Sequence, residues 1–337
     1  MENLKIPYAE LLETFETVLI QKGFDEKRAR LSAELFAKSS LDGVASHGLN
    51  RFPFFVKMIE EGIVDVKAEP TLVGSFGVFE RWDGHLGPGN LNAHHCMDRA
   101  IQLSQQLGIG CVALRNTNHW MRGGNFGWQA VEAGFIGICF TNAIPNMPAW
   151  GGSEPVLGNN PLVIAFPRRD GPIVLDMAMS QFSYGKMSSY LKENMEMPFE
   201  AGFDEEGHLT KDPKVILDKE LALPIGLWKG AGLSLLLDLL AAVLSEGDAT
   251  HQIGQRQYEQ NISQVFISLC PAKLGLEEFP EEKINAVIEH FKASSTFGEE
   301  QVRYPGEKTL EVRERNLAEG VPVDREIWKK VLGMKKD

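Results

Sequence analysis

Residues 110–141 read GCVALRNTNHWMRGGNFGWQAVEAGFIGICFT, and their order of textures decides the fold. Gly110 to Leu114 is a short apolar run suited to a buried strand. Asn116 to Gly124 is a polar loop dense in amides and glycine, 124–133 carries a helical pattern, and Ile136 to Thr141 is a second strand-like run. Strand, loop, helix and strand in succession predict an α/β layer structure. A glycine-rich polar loop at the carboxyl end of a strand is where such proteins usually hold their ligands.

Working outward, further strand-like runs occur at Thr71 to Val73, Val78 to Trp82, Leu162 to Phe166, Ile173 to Leu175 and Val265 to Leu269, with helical patterns over 90–107 and 281–292. No Gly-x-Gly-x-x-Gly follows any of these strands, since Gly87-Pro88-Gly89 lacks a third glycine, and no P-loop is present. A bound dinucleotide would have to be held another way. Before the strands lie three helical patterns, over 8–22, from an Asp25 N-cap to Asp42-Gly43, and from near Ser46 to Gly62. A helix over 307–319 and a shorter one near 324–332 are suited to fold back onto them. The turn-rich stretch 193–222 is too long for an ordinary connection and reads as an active-site flap or a surface hairpin.

The chain has 337 residues, 34 basic against 46 acidic, a net charge of −12. Such a field disfavours nucleic acid and anionic membranes as general partners. Cys96, Cys111, Cys139 and Cys270 show no Cys-x-x-Cys spacing and read as reduced thiols of a cytoplasmic protein. No basic region followed by an apolar core opens the chain, so no signal peptide is expected. The longest apolar run, Leu233 to Leu244, contains Asp238 and reads as a buried helix too short to span a bilayer. Its carboxylate then needs a hydrogen-bonding or basic partner.

Several segments carry groups with possible chemistry. Ser46-His47-Gly48-Leu49-Asn50-Arg51 places a histidine and an arginine four residues apart, on one face if the segment is helical. A histidine can protonate the alkoxide formed when a ketone is reduced, and an arginine offers the two parallel donors that a neighbouring carboxylate takes. That pair suits a 2-oxo acid. The same hexapeptide also reads as a solvated helix start capped by Ser46, and these six residues alone favour that reading. His119, in the loop 116–124, competes for the acid role, although a histidine beside tryptophan is more often a hydrogen-bonded core residue.

Trp228-Lys229-Gly230-Ala231-Gly232-Leu233-Ser234, directly before the apolar run, suits a pyrophosphate at a helix start. It equally suits a tight turn whose glycines only permit packing. Asp176-Met177-Ala178-Met179-Ser180-Gln181-Phe182 ends a strand with an acid, small residues and a hydroxyl. It fits a turn around ribose and phosphate, or plain turn chemistry, which alone is the stronger reading. His94-His95-Cys96 looks chelating, but adjacent helical residues diverge and only Asp98 follows at the right spacing, so no metal is expected.

Taken in order, Ser46 to Arg51, Ala113 to Asn116 with Asn118 to Gly124, Gly158 to Leu162, Asp176 to Gly185, Gly202 to Asp204 with Leu209 to Lys211, and Trp228 to Ser234 resemble the malate/L-lactate dehydrogenase family of the second type. They most resemble its branch acting on 2,3-diketo sugar acids, and the likeness runs over essentially the whole chain. The resemblance implies a non-Rossmann, mixed-sheet α/β fold in which residues 1–72, joined by 305–337, form a helical region beside a cofactor- and substrate-binding domain of 73–304. It implies an NAD(P)H-dependent reductase, with NADH the expected cofactor, acting as a cytoplasmic homodimer on a small 2-oxo acid. By position His47 matches the proton donor, Arg51 a substrate-carboxylate ligand, and His119 a histidine catalytic in related branches. Asn118 and Arg122 fall in the substrate loop, while Asp176 to Phe182, Trp228, Lys229, Gly306, Glu307 and Lys308 match cofactor-binding segments. The sugar-acid branch carries Gly-His-Glu at the last of these, a departure confined to side chains. Sister activities on malate, L-lactate, sulfolactate, ureidoglycolate or cyclic imino acids share the scaffold. A non-catalytic carboxylate-binding protein is the alternative outside enzymes.

Overall fold

The computed structural model describes residues 4–276, 280–298 and 300–335. At the amino end, helix α1 (Tyr8–Gln21) buries Leu11, Phe15, Val18 and Leu19, a spacing that puts one apolar stripe on one face. Helix α2 (Glu26–Leu41) starts where the Asp25 side chain accepts the backbone N–H of Arg28 at 3.0 Å, as its sequence requires. The third helix starts later than the sequence reading placed it. Ala45–His47 form a single 3-10 turn, and helix α3 (Phe52–Glu60) begins only after Arg51. Phe15 stacks on Phe52 with ring centroids 4.2 Å apart, in a core shared by α1, α2, α3 and the carboxyl end of the chain. Leu4–Ile6 pairs antiparallel with Val321–Val323, which ties the two ends together.

The centre is a seven-stranded mixed sheet built from β1 (Thr71–Phe76), β2 (Phe79–Asp83), β3 (Ile109–Asn118), β4 (Ile136–Thr141), β5 (Leu162–Phe166), β6 (Ile173–Met177) and β7 (Gln260–Leu269). Their spatial order is β1-β2-β3-β7-β4-β5-β6, antiparallel except for β2 and β3. Helix α4 (Gly89–Leu107) makes the crossover between that parallel pair, and helix α5 (Gly124–Glu132) joins β3 to β4. Side chains alternate across the sheet. Val112, Leu114 and Phe266 pack with α4 and α5, while Ala113, Phe140 and Val265 face the opposite layer.

Strand β3 runs four residues past the expected Leu114, because Thr117 and Asn118 pair with Ile262 and Gln260 through a bulged register. The stretch 193–222 contains a two-residue hairpin (Gly202–Phe203 with Leu209–Thr210) and a helix (Pro213–Lys219), and Glu220 at its end reaches the central cavity.

Beyond helix α6 (Tyr184–Lys192), the opposite layer is led by helix α7 (Trp228–Ser245), which corrects the expectation of a buried helix. Ala231, Ser234, Leu237, Ala241 and Ser245 face the sheet, whereas Leu235, Leu236, Leu239, Leu240 and Val243 are exposed. Among the described residues it alone is long and apolar enough, by length and composition, to cross a membrane. Asp238 on α7 accepts from Asn142 Nδ2 and from the backbone N–H of Thr250, each at 2.9 Å, so amide donors rather than a base meet it.

The carboxyl-terminal helices α8 (Glu307–Glu319) and α9 (Arg325–Leu332) return to the amino-terminal layer. Asp42, fully buried just after α2, accepts from Arg313 of α8 at 2.6 and 2.8 Å and from Arg122 ahead of α5. The two guanidinium groups hold its carboxyl below the ordinary carboxylate range despite burial. Replacing Asp42 with Ala leaves Arg122, 4% exposed, without its partner. We expect a loss of about 3–5 kcal/mol, read as a lower urea midpoint with an unchanged slope.

Candidate active site

A cavity of about 840 Å³ opens where the amino-terminal layer meets the sheet, lined by His47, Arg51, His119, Asp176 and Glu259 among others. Its size falls within the range of small-molecule sites. His47 reaches it from the 3-10 turn and Arg51 from the residue before α3, so the two converge without the shared helical face expected of them. Gly48 between them makes this possible. A Cβ there would stand 2.1 Å from Ser40 Oγ and 2.9 Å from the Phe36 carbonyl oxygen, so only glycine lets the turn lie against α2. The Leu49 N–H then donates to Ser40 Oγ at 2.8 Å.

The rings of His47 and His119 lie nearly parallel, with centroids 5.9 Å apart. Burial pushes the His47 pKa down from its ordinary value, Asp176 opposes that shift, and Arg51 and Arg122 add to it. Burial also depresses the His119 pKa strongly, with Arg51 and His47 adding to the effect. Arg51 rests over the Phe54 ring at 4.5 Å, and its Nη2 stands 4.0 Å from Glu259 Oε2. Its buried Nε has no hydrogen-bond partner among the described residues. A guanidinium with unused donors facing a cavity is equipped to take a carboxylate.

Other expected site residues sit elsewhere. Asn118 does not line the cavity. Its Nδ2 donates to the carbonyls of Leu86 at 2.7 Å, Gly87 at 3.1 Å and Ile63 at 3.3 Å, which makes it a brace for the neighbouring loop. Arg122 borders the cavity, but its guanidinium is bonded to Asp42 and stands 3.9 Å from Asp176. Only its Nη1 is committed to Asp42, and its buried Nε has no hydrogen-bond partner among the described residues.

Asp176 and Ala178 line the cavity, and Asp176 Oδ2 accepts the Gly124 N–H at 2.9 Å. A Cβ on Gly124 would lie 2.6 Å from that oxygen, so the contact also requires glycine. Met179, Ser180 and Phe182 are buried, Met177 and Gln181 are half-buried, and the Gln181 N–H is spent on the Leu223 carbonyl. Trp228, 63% exposed, and Lys229 begin α7 and lie outside this cavity. Gly230 is held close, since a Cβ there would meet the Ile225 carbonyl oxygen at 2.1 Å, in line with the packing reading at that position, whereas a Cβ on Gly232 would meet open space. Gly306, at φ +94°, lines the cavity, whereas Glu307 pairs with Lys292 and Lys308 is exposed. Glu259, Asn142, Tyr184 and Glu220 line the cavity without having been singled out in the sequence. The local sequence Tyr258-Glu259-Gln260 contains no motif that could have marked Glu259.

A profile of the malate/L-lactate dehydrogenase family matches residues 6–332. The chain belongs to that family. It is 42% identical over 331 residues to a 2,3-diketo-L-gulonate reductase of Escherichia coli O139:H28, covering 97% of this chain and 99% of that protein. Among solved structures it is similar to a malate dehydrogenase of Pyrococcus horikoshii, with TM-score 0.88 and 29% identity over 98% of this chain and 94% of the other. A putative malate/lactate dehydrogenase of E. coli superposes with TM-score 0.92 at 27% identity over 98% and 94%. Membership makes this chain an oxidoreductase that takes a small-molecule substrate and a nicotinamide cofactor. The family's mixed α/β sheet accounts for the missing glycine fingerprint.

The residues present fit such a cofactor. The cavity has the volume, the small residues Ala178 and Gly306 are part of its wall, and Ser180, two residues on from Ala178, carries a buried Oγ with no hydrogen-bond partner among the described residues.

Proposed function

We propose that this chain is an NADH-dependent reductase of 2-oxo sugar acids of the 2,3-diketo-L-gulonate type, working in the cytoplasm as a homodimer. The observation that carries the reading is the convergence of His47, His119 and the under-used Arg51 on one cavity beside Asp176. The names of the 42% identical relatives support the sugar-acid branch over malate or lactate.

When bound, the nicotinamide supplies the hydride. Arg51 binds the C1 carboxylate through its fork and so sets the position of the adjacent C2 carbonyl. His47 delivers a proton to the oxygen that gains charge at C2. Asp176 favours the imidazolium that this step consumes, against the desolvation that opposes it. Asp176 to Phe182 and Gly306 hold the cofactor from this chain, with Trp228 and Lys229 serving a neighbouring copy across the α7 face. That face carries Leu236, Leu239, Leu240 and Val243, an apolar stripe of the kind a second protomer covers.

The direct test is oxidation of NADH and NADPH followed spectrophotometrically with 2,3-diketo-L-gulonate, pyruvate and oxaloacetate. We expect turnover chiefly with NADH and the sugar acid, and no oxidation with any of them would refute the reading. His47→Asn should lower kcat by roughly 10²–10⁴ with little change in NADH affinity, while Arg51→Lys should raise KM for the acid about tenfold or more. Near wild-type turnover in the first variant, or an unchanged KM in the second, removes the assigned role.

The pH dependence follows from His47. Its pKa lies below 6.5 in the folded enzyme, and reduction consumes the protonated ring. For reduction, kcat/KM should therefore climb as pH falls through that pKa and level off beneath it. A limb with its midpoint above pH 8 points to another donor. For the assembly, Leu236→Glu combined with Leu240→Glu should shift a dimer to a monomer in light scattering, and an unchanged mass moves the interface elsewhere.

A further inference from the structure

Glu259 stands between Arg51, which binds the carboxylate in the proposed reaction, and His119, to which that reaction assigns no step. It occupies the last position before β7. One oxygen, Oε1, accepts the Ile144 N–H at 3.1 Å, which anchors the carboxylate to the chain just beyond β4. The other, Oε2, lies 3.9 Å from His119 Nε2 and 4.0 Å from Arg51 Nη2. Its side chain is 18% exposed, so these separations lie in a partly dry site where Coulomb forces are weakly screened.

The other edge of the His119 ring decides its protonation. The backbone N–H of Met121 donates to His119 Nδ1 at 2.9 Å. An atom that accepts an N–H offers its lone pair, so the neutral ring carries its proton on Nε2, toward Glu259. Adding a proton to Nδ1 would set two N–H groups face to face. It would also create a cation beside Arg51 and next to the His47 ring. His119 is therefore a fixed, uncharged donor. His47 has no such lock. Ser46 Oγ, 3.1 Å from its Nδ1, can donate or accept, and Asp176 favours its charged form while Arg51 and Arg122 oppose it.

We propose that Glu259 is a positioning residue whose carboxylate aims the Nε2–H of His119 and the fork of Arg51 into the cavity. The substrate's 2-oxo group then meets a neutral donor and its carboxylate an oriented guanidinium, and the proton itself comes from His47. This deepens the reductase reading and rests on it for the substrate.

The test compares Glu259→Ala and Glu259→Gln in the full-length enzyme. Kinetically, Glu259→Ala should raise KM for the 2-oxo acid about tenfold or more, with a smaller loss in kcat and unchanged NADH affinity. Glu259→Gln keeps an acceptor for the Nε2–H and should recover most of that loss. The midpoint of the kcat/KM pH limb should stay at its wild-type value in both, because His47 is unaltered. A residue that only supports folding would lower the active fraction and leave KM where it was.

A second arm needs no substrate. Ring-nitrogen NMR of histidine-labelled enzyme, with His119 assigned through His119→Gln, should show a neutral Nε2–H ring that does not titrate between pH 5.5 and 8.5. Its Nε2 resonance should move in Glu259→Ala and stay near wild type in Glu259→Gln. A titrating His119, a resonance indifferent to Glu259→Ala, or wild-type KM in that variant overturns the proposal. If the wild-type enzyme reduces no 2-oxo acid, the substrate reading fails while this spectroscopic arm still decides the role of Glu259.

Discussion

The site depends on one buried carboxylate. Asp42 directly follows α2, and three residues later the chain enters the turn that carries His47. The same carboxylate binds Arg122, three residues beyond His119, and Arg313, which belongs to the carboxyl-terminal helix. The two histidines, which come from segments some seventy residues apart in the chain, are thus referred to one charged centre. A buried ion pair adds little net stability when its desolvation is counted, but it is intolerant of misplacement. That intolerance is useful where two rings must stay 5.9 Å apart at the rim of a cavity. Leu41 and Asn316 reinforce the junction, since Asn316 Nδ2 donates to the Leu41 carbonyl at 2.7 Å.

Much of the architecture was legible because it rests on periodicity and punctuation. The stripe of α1, the Asp25 cap of α2 and the alternating strands around Ala113 and Phe266 all follow from local spacing. What local spacing could not show was pairing over long range. The extension of β3 through Asn118 depends on Gln260 and Ile262, which lie more than 140 residues away. Helix α7 was recognised as helical and apolar, but hydrophobicity does not reveal which of its faces the chain itself covers.

The candidate site shows the same division. His47, Arg51, His119 and Asp176 stood out because their chemistry is conspicuous beside glycine and turn residues, and all four border the cavity. Asn118 and Arg122 were equally conspicuous, yet the Asn118 amide is taken by Leu86 and Gly87, and Asp42 holds one nitrogen of the Arg122 guanidinium. Side-chain type suggests what a residue can do; its partners decide what it is left free to do. Glu259 is the converse case, an ordinary acid in an ordinary stretch that topology sets between two cavity donors. Gly48 and Gly124 belong to the same class, since the need for them is visible only once Ser40 and Asp176 are seen where a Cβ would go.

Pairing also explains how a protein of net charge −12 can receive an acid. The arginines bordering this region are largely neutralised at close range, Arg115 by Asp83 at 3.0 Å and Arg122 and Arg313 by Asp42. Arg51 differs from them in the distance of its counter-charge, with its carboxylate partner Glu259 at 4.0 Å, and its buried Nε has no hydrogen-bond partner among the described residues. An anion entering the cavity therefore meets a guanidinium without a close counter-charge rather than a diffuse basic field. Such an arrangement attracts weakly over distance, where surface charge is screened, and strongly at contact, where the donors are desolvated and already aimed. Selection for a carboxylate in this site is thus a matter of unspent hydrogen bonds, which the overall charge of the molecule neither supplies nor prevents.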